Sequence, residues 1–281
     1  WDPHWTIKLV YTAGSTLFSV FKIALGAAAT VLLIGVISGL VFMGALAEYL
    51  QNDILKEAQN WSYEDYDVEK TSYVHYVDSD GNIQLLQQIY TTTDRQPATW
   101  DEIPQALVDA TVAIEDKRFY EHQGVDWITT VKACANMFFG GDSQFGGSTI
   151  TQQMLKNMTG ENQNTINRKV KEIFRALEFE KNNTKSQILE LYLNMIYLGS
   201  GCNGVQTAAE YYFGKDAKDL TVAESACIIA ITNNPSRYGP YSLARVKNKE
   251  GEVWDAKQWN KWRQENVLDQ MLAQGMITQE E

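Results

Sequence analysis

"ATVAIEDKRFYEHQGVDW", residues 110–127, sets two acids against the end of an apolar run. Ala110 to Ile114 is almost wholly apolar; Glu115 and Asp116 follow at once, with Phe119, His122 and Gly124 close behind. A surface helix keeps its acids on the polar face, so a carboxylate pair abutting a core run implies partial desolvation. The "WDEIP" of residues 100–104 predicts a helix start near residue 104, and the run ends about Glu115. Glu115 then sits at the negative end of the helix dipole, beside Val112 and Ile114. Both influences disfavour a charged carboxylate and suit general acid or base work. The plainer alternative is a helix-end acid paired with Lys117 or Arg118, and this stretch alone leaves both open.

Three downstream segments bear on the choice. In "FGGSTITQQMLKN" (145–157), Gly146-Gly147 allows close backbone approach, and Ser148 and Thr149 open a helix carrying Gln152, Gln153 and Lys156. A helix N-terminus with flanking hydroxyls can take a phosphate or a sugar hydroxyl, but taken alone this is a glycine loop and a well-capped helix. In "TINRKVKEIFRALEFEK" (165–181), Ile166, Val170, Ile173, Phe174 and Leu177 recur at helical spacing and predict a buried face. Arg168 and Lys169 lie four and three residues before Glu172, so one acid can meet two cations. With Lys171 and Arg175 they form a cationic patch on an acidic chain, suited to an anionic ligand such as pyrophosphate. In residues 185–215, Ile188, Leu189, Tyr192 and Ile196 predict a core stripe. Glu190 and Asn194, one turn apart, read as buried polar residues that position a neighbouring element.

The net charge of −11 (24 Lys and Arg against 35 Asp and Glu in 281 residues) disfavours a nucleic-acid binder. Cys134, Cys202 and Cys227 lack the spacing of a zinc site or disulfide framework and read as small packing residues. From Ile23 to Ala47 there is no charged residue, longer than the roughly 20 residues a helix needs to cross a bilayer. Lys8 and Lys22 precede it and Glu48 and Asp53 follow, which orients the N-terminus to the cytoplasm and the rest outside. Ala45-Leu46-Ala47 resembles a signal-peptidase site, yet the apolar run is longer than a signal h-region, favouring an uncleaved anchor. The acidic residues 48–70 read as a stalk, and the β-rich flanks of Asp80-Gly81 as a hairpin carrying His75 as a packed or solvated residue. Capping boxes at Thr149/Gln152, Thr184/Gln187 and Thr221/Glu224 mark helix starts; Gly199, Gly201 and Gly204 mark a turn.

These stretches, in this order, resemble the peptidoglycan glycosyltransferases of glycosyltransferase family 51, which include the first domain of class A penicillin-binding proteins. The matching pieces are Glu115-Asp116, Phe119, His122 and Gly124; Gly146 to Gln153 with Lys156-Asn157; Arg168-Lys169 and Glu172; and Lys185 with Ile188 to Asn194. "LTVAESACIIAITNNPSRYGPY" resembles the closing helix and Pro-Ser-Arg-Tyr turn. Asn233-Asn234 and the insertion-like "KNKEGEVWDAKQWNKW" depart from the pattern, away from the presumed catalytic positions.

The resemblance implies a mainly α, lysozyme-like domain with a small membrane-associated lobe over residues 71–278. Ahead of it would lie a cytoplasmic tail (1–22), a transmembrane helix (23–47) and the stalk (48–70). It implies that the chain joins lipid II to a nascent glycan strand by inverting β-1,4 transfer, releasing undecaprenyl pyrophosphate at the bacterial cytoplasmic membrane. Cell-wall synthesis or division proteins are the implied partners, and a truncated class A protein is a better expectation than a complete monofunctional enzyme. By motif match, Glu115 is the general base and Asp116 orders neighbouring cations. Lys156, Arg168 and Lys169 bind pyrophosphate, and Glu172 holds those cations or a divalent metal, Mg²⁺ or Mn²⁺. Ser148, Thr149, Gln152 and Gln153 line the substrate cleft with a largely structural share, and Phe119 and His122 belong to the same site. Trp127, Ile128, Val131, Met137, Phe138 and Phe139 either dip into the membrane interface or form a core helix. Two rivals stand beside this reading: a lysozyme-like hydrolase or lytic enzyme, which has no pyrophosphate to stabilise, and a non-catalytic membrane-anchored scaffold, which has no use for Glu115 and Lys156.

Overall fold

The computed structural model describes residues 3–56, 63, 72–89, 96–139, 147–161, 163 and 165–280, and divides into two compact units, Trp1–Lys56 and Glu57–Glu281. The first is one continuous helix, α1 (Pro3–Tyr49), followed by a wider π-type turn at Leu50–Leu55. No break separates the expected tail from the expected span. Within Thr16–Asn52 an 18-residue window reaches a mean hydropathy of 2.4, so the helix is long and apolar enough to cross a membrane. The predicted stalk beyond residue 56 lies outside the described residues except for Tyr63.

The second unit is mainly helical. A hairpin opens it, β1 (Ser72–Val77) antiparallel to β2 (Ile83–Ile89), with Asp80-Gly81 at its turn and an irregularity between Val74 and His75. Then come α2 (Gln105–Glu115), α3 (Trp127–Phe139), α4 (Ile150–Thr159), α5 (Ile166–Asn182), α6 (Lys185–Met195) and α7 (Val205–Phe213). The chain continues through α8 (Val222–Ala230), the single turn α9 (Pro235–Tyr238), a hairpin of β3 (Arg245–Lys247) and β4 (Val253–Asp255), and α10 (Ala256–Ala273).

All three predicted capping boxes are present, so α4, α6 and α8 begin where a threonine accepts the amide of the Gln or Glu three residues on. Thr99/Glu102 and Asp255/Gln258 form two more. In the core, α2 packs on α8 and α10, and α4 packs on α5 and α6. Leu107 on α2 and the stripe Ile188, Leu189 and Tyr192 on α6 are fully enclosed, and Ile196 follows just after α6. Truncating Leu107 to Ala would cost about 3 kcal/mol by transfer and cavity formation. Glu190 and Asn194 do position neighbours: Glu190 accepts from Tyr63 Oη, and Asn194 exchanges two 2.8 Å bonds with the Ala98 backbone.

Helix α5 departs from its periodicity. Its most enclosed residues are Glu172, Arg175, Ala176, Glu178 and Phe179, whereas Val170, Ile173, Phe174 and Leu177 are only half-buried. The charged stripe faces inward because it finds partners there, on the stripe itself, at a hydroxyl of α4 and at an acid just after α4. Thr151 on α4 donates to Glu180, and Arg175 pairs with Glu161 at 3.1 Å. The four-cation patch read from sequence is therefore divided. Gly124, at φ +81, brings its loop against α5, where a Cβ would lie 2.4 Å from Ala176 O. Cys202 and Cys227 form no disulfide among the described residues, and Cys202 is fully buried; the Cys134 side chain lies outside the described residues.

Candidate active site

Glu115 is the last residue of α2, and its carboxylate is held from two other elements. Oε1 accepts from Thr232 Oγ1 at 2.6 Å and Oε2 from Gln153 Nε2 at 3.1 Å. Thr232 Oγ1 also lies 2.9 Å from Ile229 O; with one proton to give, it serves the nearer, charged acceptor. Gln153 is steadied in turn by Tyr192 Oη at 3.4 Å. Burial pushes the Tyr192 phenol well above its ordinary value, and the nearby charges of Glu115 and Asp116 add to this, so it stays a donor. The alternative partner Arg118 pairs with Asp126 instead. Neutral donors thus orient the Glu115 carboxylate.

Two cavities meet at this residue. A cleft of about 330 Å³ is lined by Glu115, Ser148, Gln152, Lys156, Arg168 and Arg263, among others. A smaller recess of about 50 Å³ is lined by Glu115, Lys117, Asp126, Thr129 and Gly147. Lys156 and Arg168 reach the larger cleft from α4 and α5. Among the described residues Lys156 has no acidic partner, and it stands exposed at the cleft. Glu172 accepts from both Arg168 Nη1 and Lys169 Nζ, and Arg168 Nε is tied to Gln163 O, so the guanidinium is presented in one orientation. Lys169 Nζ also donates to Ser148 Oγ at 2.8 Å, so its charge supports the cleft wall.

Several expected cleft residues do other work. Asp116 is buried; it lies 3.0 Å from His122 Nε2 and accepts the Ile150 amide at 3.1 Å. It therefore staples its loop to the start of α4, in place of the expected ordering of cations. Phe119 is fully buried, with Lys185 Nζ 4.2 Å from its ring centroid, while His122 O accepts from Lys185 at 2.7 Å. Neither lines the cleft; both tie the loop to α6. The first amides of α4 are also taken: Thr149 Oγ1 caps Gln152 and donates to Gly124 O at 2.6 Å. That helix end is a well-capped N-terminus rather than an anion site. Gly147 packs where a Cβ would meet Ala133 Cβ at 2.7 Å, and Gly146 lies outside the described residues.

A divalent metal does not fit the residues expected to hold it. Both Glu172 oxygens are occupied by cations, and among the described residues no group of three His, Cys, Asp or Glu side chains converges on a common point.

Sequence reading missed Thr232, Asn233 and Arg263. Asn233 is half of the Asn233-Asn234 departure and Thr232 directly precedes it, so that departure lies beside the presumed catalytic position, contrary to expectation. Arg263 Nε is buried without a hydrogen-bond partner among the described residues, and the side chain adds a third cation to the cleft. On α3, Trp127, Ile128 and Val131 are each more than half exposed, which overturns the core-helix alternative for these three; the side chains of Met137, Phe138 and Phe139 lie outside the described residues.

A family model described as Transglycosylase matches residues 82–272. The chain belongs to the transglycosylase family, the peptidoglycan glycosyltransferase domains. It is 40% identical over 202 residues to penicillin-binding protein 1F of Bacillus subtilis (strain 168), covering 72% of this chain and 26% of that protein. With penicillin-binding protein 1A of Escherichia coli (strain K12) it shares 39% identity over 213 residues, 72% of this chain and 23% of that one. A solved structure of penicillin-binding protein 1A from Haemophilus influenzae matches 76% of this chain and 20% of its own, at 23% identity and TM-score 0.37. The transglycosylase chain spans about a quarter of the length of these curated relatives.

Proposed function

We propose that this chain polymerises lipid II into β-1,4-linked glycan strands on the outer face of the bacterial cytoplasmic membrane, anchored by α1 with its N-terminus inside. The observation that carries this reading is the position of Glu115, oriented by Thr232 and Gln153 between a cationic cleft and a smaller recess. The nascent strand's lipid pyrophosphate occupies the cationic side, and the incoming lipid II presents its 4-hydroxyl to Glu115. Glu115 takes the hydroxyl proton as the oxygen bonds to the donor anomeric carbon, and the bond from that carbon to the pyrophosphate oxygen breaks with inversion. Undecaprenyl pyrophosphate leaves with the electron pair. Lys156, Arg168 and Arg263 meet the charge developing on it, in a cleft where such contacts count for more than in bulk water. No step passes through a metal, since Glu172 is already engaged.

The exposed Trp127, Ile128 and Val131 of α3 rest in the membrane interface, which keeps the site at the depth of the substrate's pyrophosphate. The test is incubation of the full chain with lipid II in detergent, with products resolved by size. A ladder of glycan strands supports the proposal. Release of new reducing ends from finished peptidoglycan, with no ladder from lipid II, would make the chain a hydrolase; inertness of the folded chain toward both would make it a scaffold.

A further inference from the structure

Away from the pair of cavities at Glu115, a second cavity site, about 620 Å³, opens where the β3–β4 hairpin meets α9 and the start of α10. The insertion-like residues 247–262 build most of it, and the polymerising mechanism uses none of them. Trp259 forms its floor: it is 6% exposed, donates Nε1 to Val246 O at 3.1 Å, and carries the Arg237 guanidinium 3.6 Å from its ring centroid. Trp254 and Trp262 flank it at 5.0 and 5.7 Å between centroids; Trp254 is half-buried and Trp262 is 39% exposed. Around these rings stand hydrogen-bonding groups of both kinds, Lys247, Asn248, Lys249, Glu250 and Glu252. Glu252 accepts from Asn248 Nδ2 at 3.1 Å and Trp254 Nε1 at 3.3 Å, which holds the rim in shape.

Indole faces bordered by alternating donors and acceptors match a pyranose, which offers an apolar C–H face ringed by hydroxyls. Three cations against two acids leave the lining close to neutral, a poor match for a polyanion, while the polar rim is a poor match for a lipid tail. The cavity also shares a wall with the Glu115 cleft. Arg263 lines the cleft with its guanidinium 5.5 Å from the Tyr238 ring centroid, and Tyr238 lines the second cavity. Asn260 fixes that wall by donating to Tyr238 O at 2.8 Å.

We propose that this cavity is a saccharide subsite that holds glycan sugars beyond the polymerising cleft, a role that rests on reading that cleft as the site of strand synthesis. Trp254 and Trp262 are its stacking residues, and the insertion exists to supply them.

The experiment is calorimetric titration of the full chain in detergent micelles with chitotetraose, a neutral β-1,4 tetrasaccharide lacking lipid, peptide and pyrophosphate. Saturable binding is expected, weakened at least tenfold in Trp262→Ala and in Trp254→Ala and unchanged in Glu115→Gln. A photo-crosslinking derivative of the same sugar, digested and mapped by mass spectrometry, should label residues 237–262. It also decides the matter if a tryptophan variant fails to fold. No saturable binding, folded tryptophan variants that bind like the parent, or labelling confined to residues 115–172 would each overturn the proposal. Because the probe cannot be polymerised, such failure leaves the lipid II reaction to its own assay.

Discussion

Thr232 Oγ1 lies 2.6 Å from Glu115 Oε1 across a sequence separation of 117 residues. The contact joins the end of α2 to the segment after α8, so the Glu115 carboxylate is oriented by the packing of two helices rather than by its own loop. Thr232→Val keeps the shape and removes the donor. A hydrogen bond to a charged group contributes about 1.5–3 kcal/mol, so kcat for polymerisation should fall about tenfold or more. KM for lipid II should hold, because in the proposed reaction Thr232 orients the base and leaves the pyrophosphate contacts to the cations. Steady-state kinetics on the folded variant checks both.

Glu172 is the sole acid between Arg168 and Lys169 among the described residues. Removing one partner from a buried charge cluster costs about 3 kcal/mol. Glu172→Gln should therefore lower the melting temperature by roughly 6–12 °C for a domain of this size. It should also reduce activity by letting Arg168 lose its fixed orientation. Calorimetry with and without Mg²⁺ checks the metal question as well: an ion that raised the parent's melting temperature but not the variant's would identify Glu172 as a ligand after all.

Asp126 predicts the acid limb of stability. Burial pushes its carboxyl up, but the hydroxyl and amide of Thr129 and the guanidinium of Arg118 outweigh that and hold it at about 2. Its folded value lies below the roughly 3.9 of an unfolded aspartate, so its contribution is complete above about pH 4 and is lost as pH falls toward 2. Asp126→Asn should be less stable at pH 7 and should lose less on going from pH 4 to 2. Urea unfolding across that range reads it.

Tyr63 ties the segment leading from α1 to the catalytic unit. Its hydroxyl donates to Glu190, its amide donates to Asn183 Oδ1 at 2.8 Å, and the hydrogen bond to Glu190, with burial, pushes the phenol up to about 12. Tyr63→Phe should speed limited proteolysis near residue 63 with little change in the melting temperature of the remaining domain. Equal cleavage rates would mean the amide contact alone suffices.

Much of this was legible in one dimension. Capping boxes located α4, α6 and α8, the apolar spacing on α6 marked its core stripe, and the Arg168, Lys169 and Glu172 spacing found a real cluster. These features depend on residues within one or two turns of each other. What was misread depends on what packs across a helix. The apolar residues of α5 gave way to a charged stripe because Thr151 and Glu161 waited opposite; Phe119 turned into the core beneath Lys185, and His122 turned its ring to Asp116 and its carbonyl to Lys185. Thr232 and Arg263 reach Glu115's surroundings only after the chain has folded back from α8 and α10, and no local pattern marks them.

The most direct measurement compares lipid II polymerisation by the parent chain and by Glu115→Gln, each in detergent, with products resolved by size and folding checked by circular dichroism. We expect long glycan strands from the parent and none from the folded variant, since glutamine keeps the shape and the contacts to Thr232 and Gln153 but cannot take the hydroxyl proton. Strands of equal yield from both would contradict the assignment of Glu115 as the base.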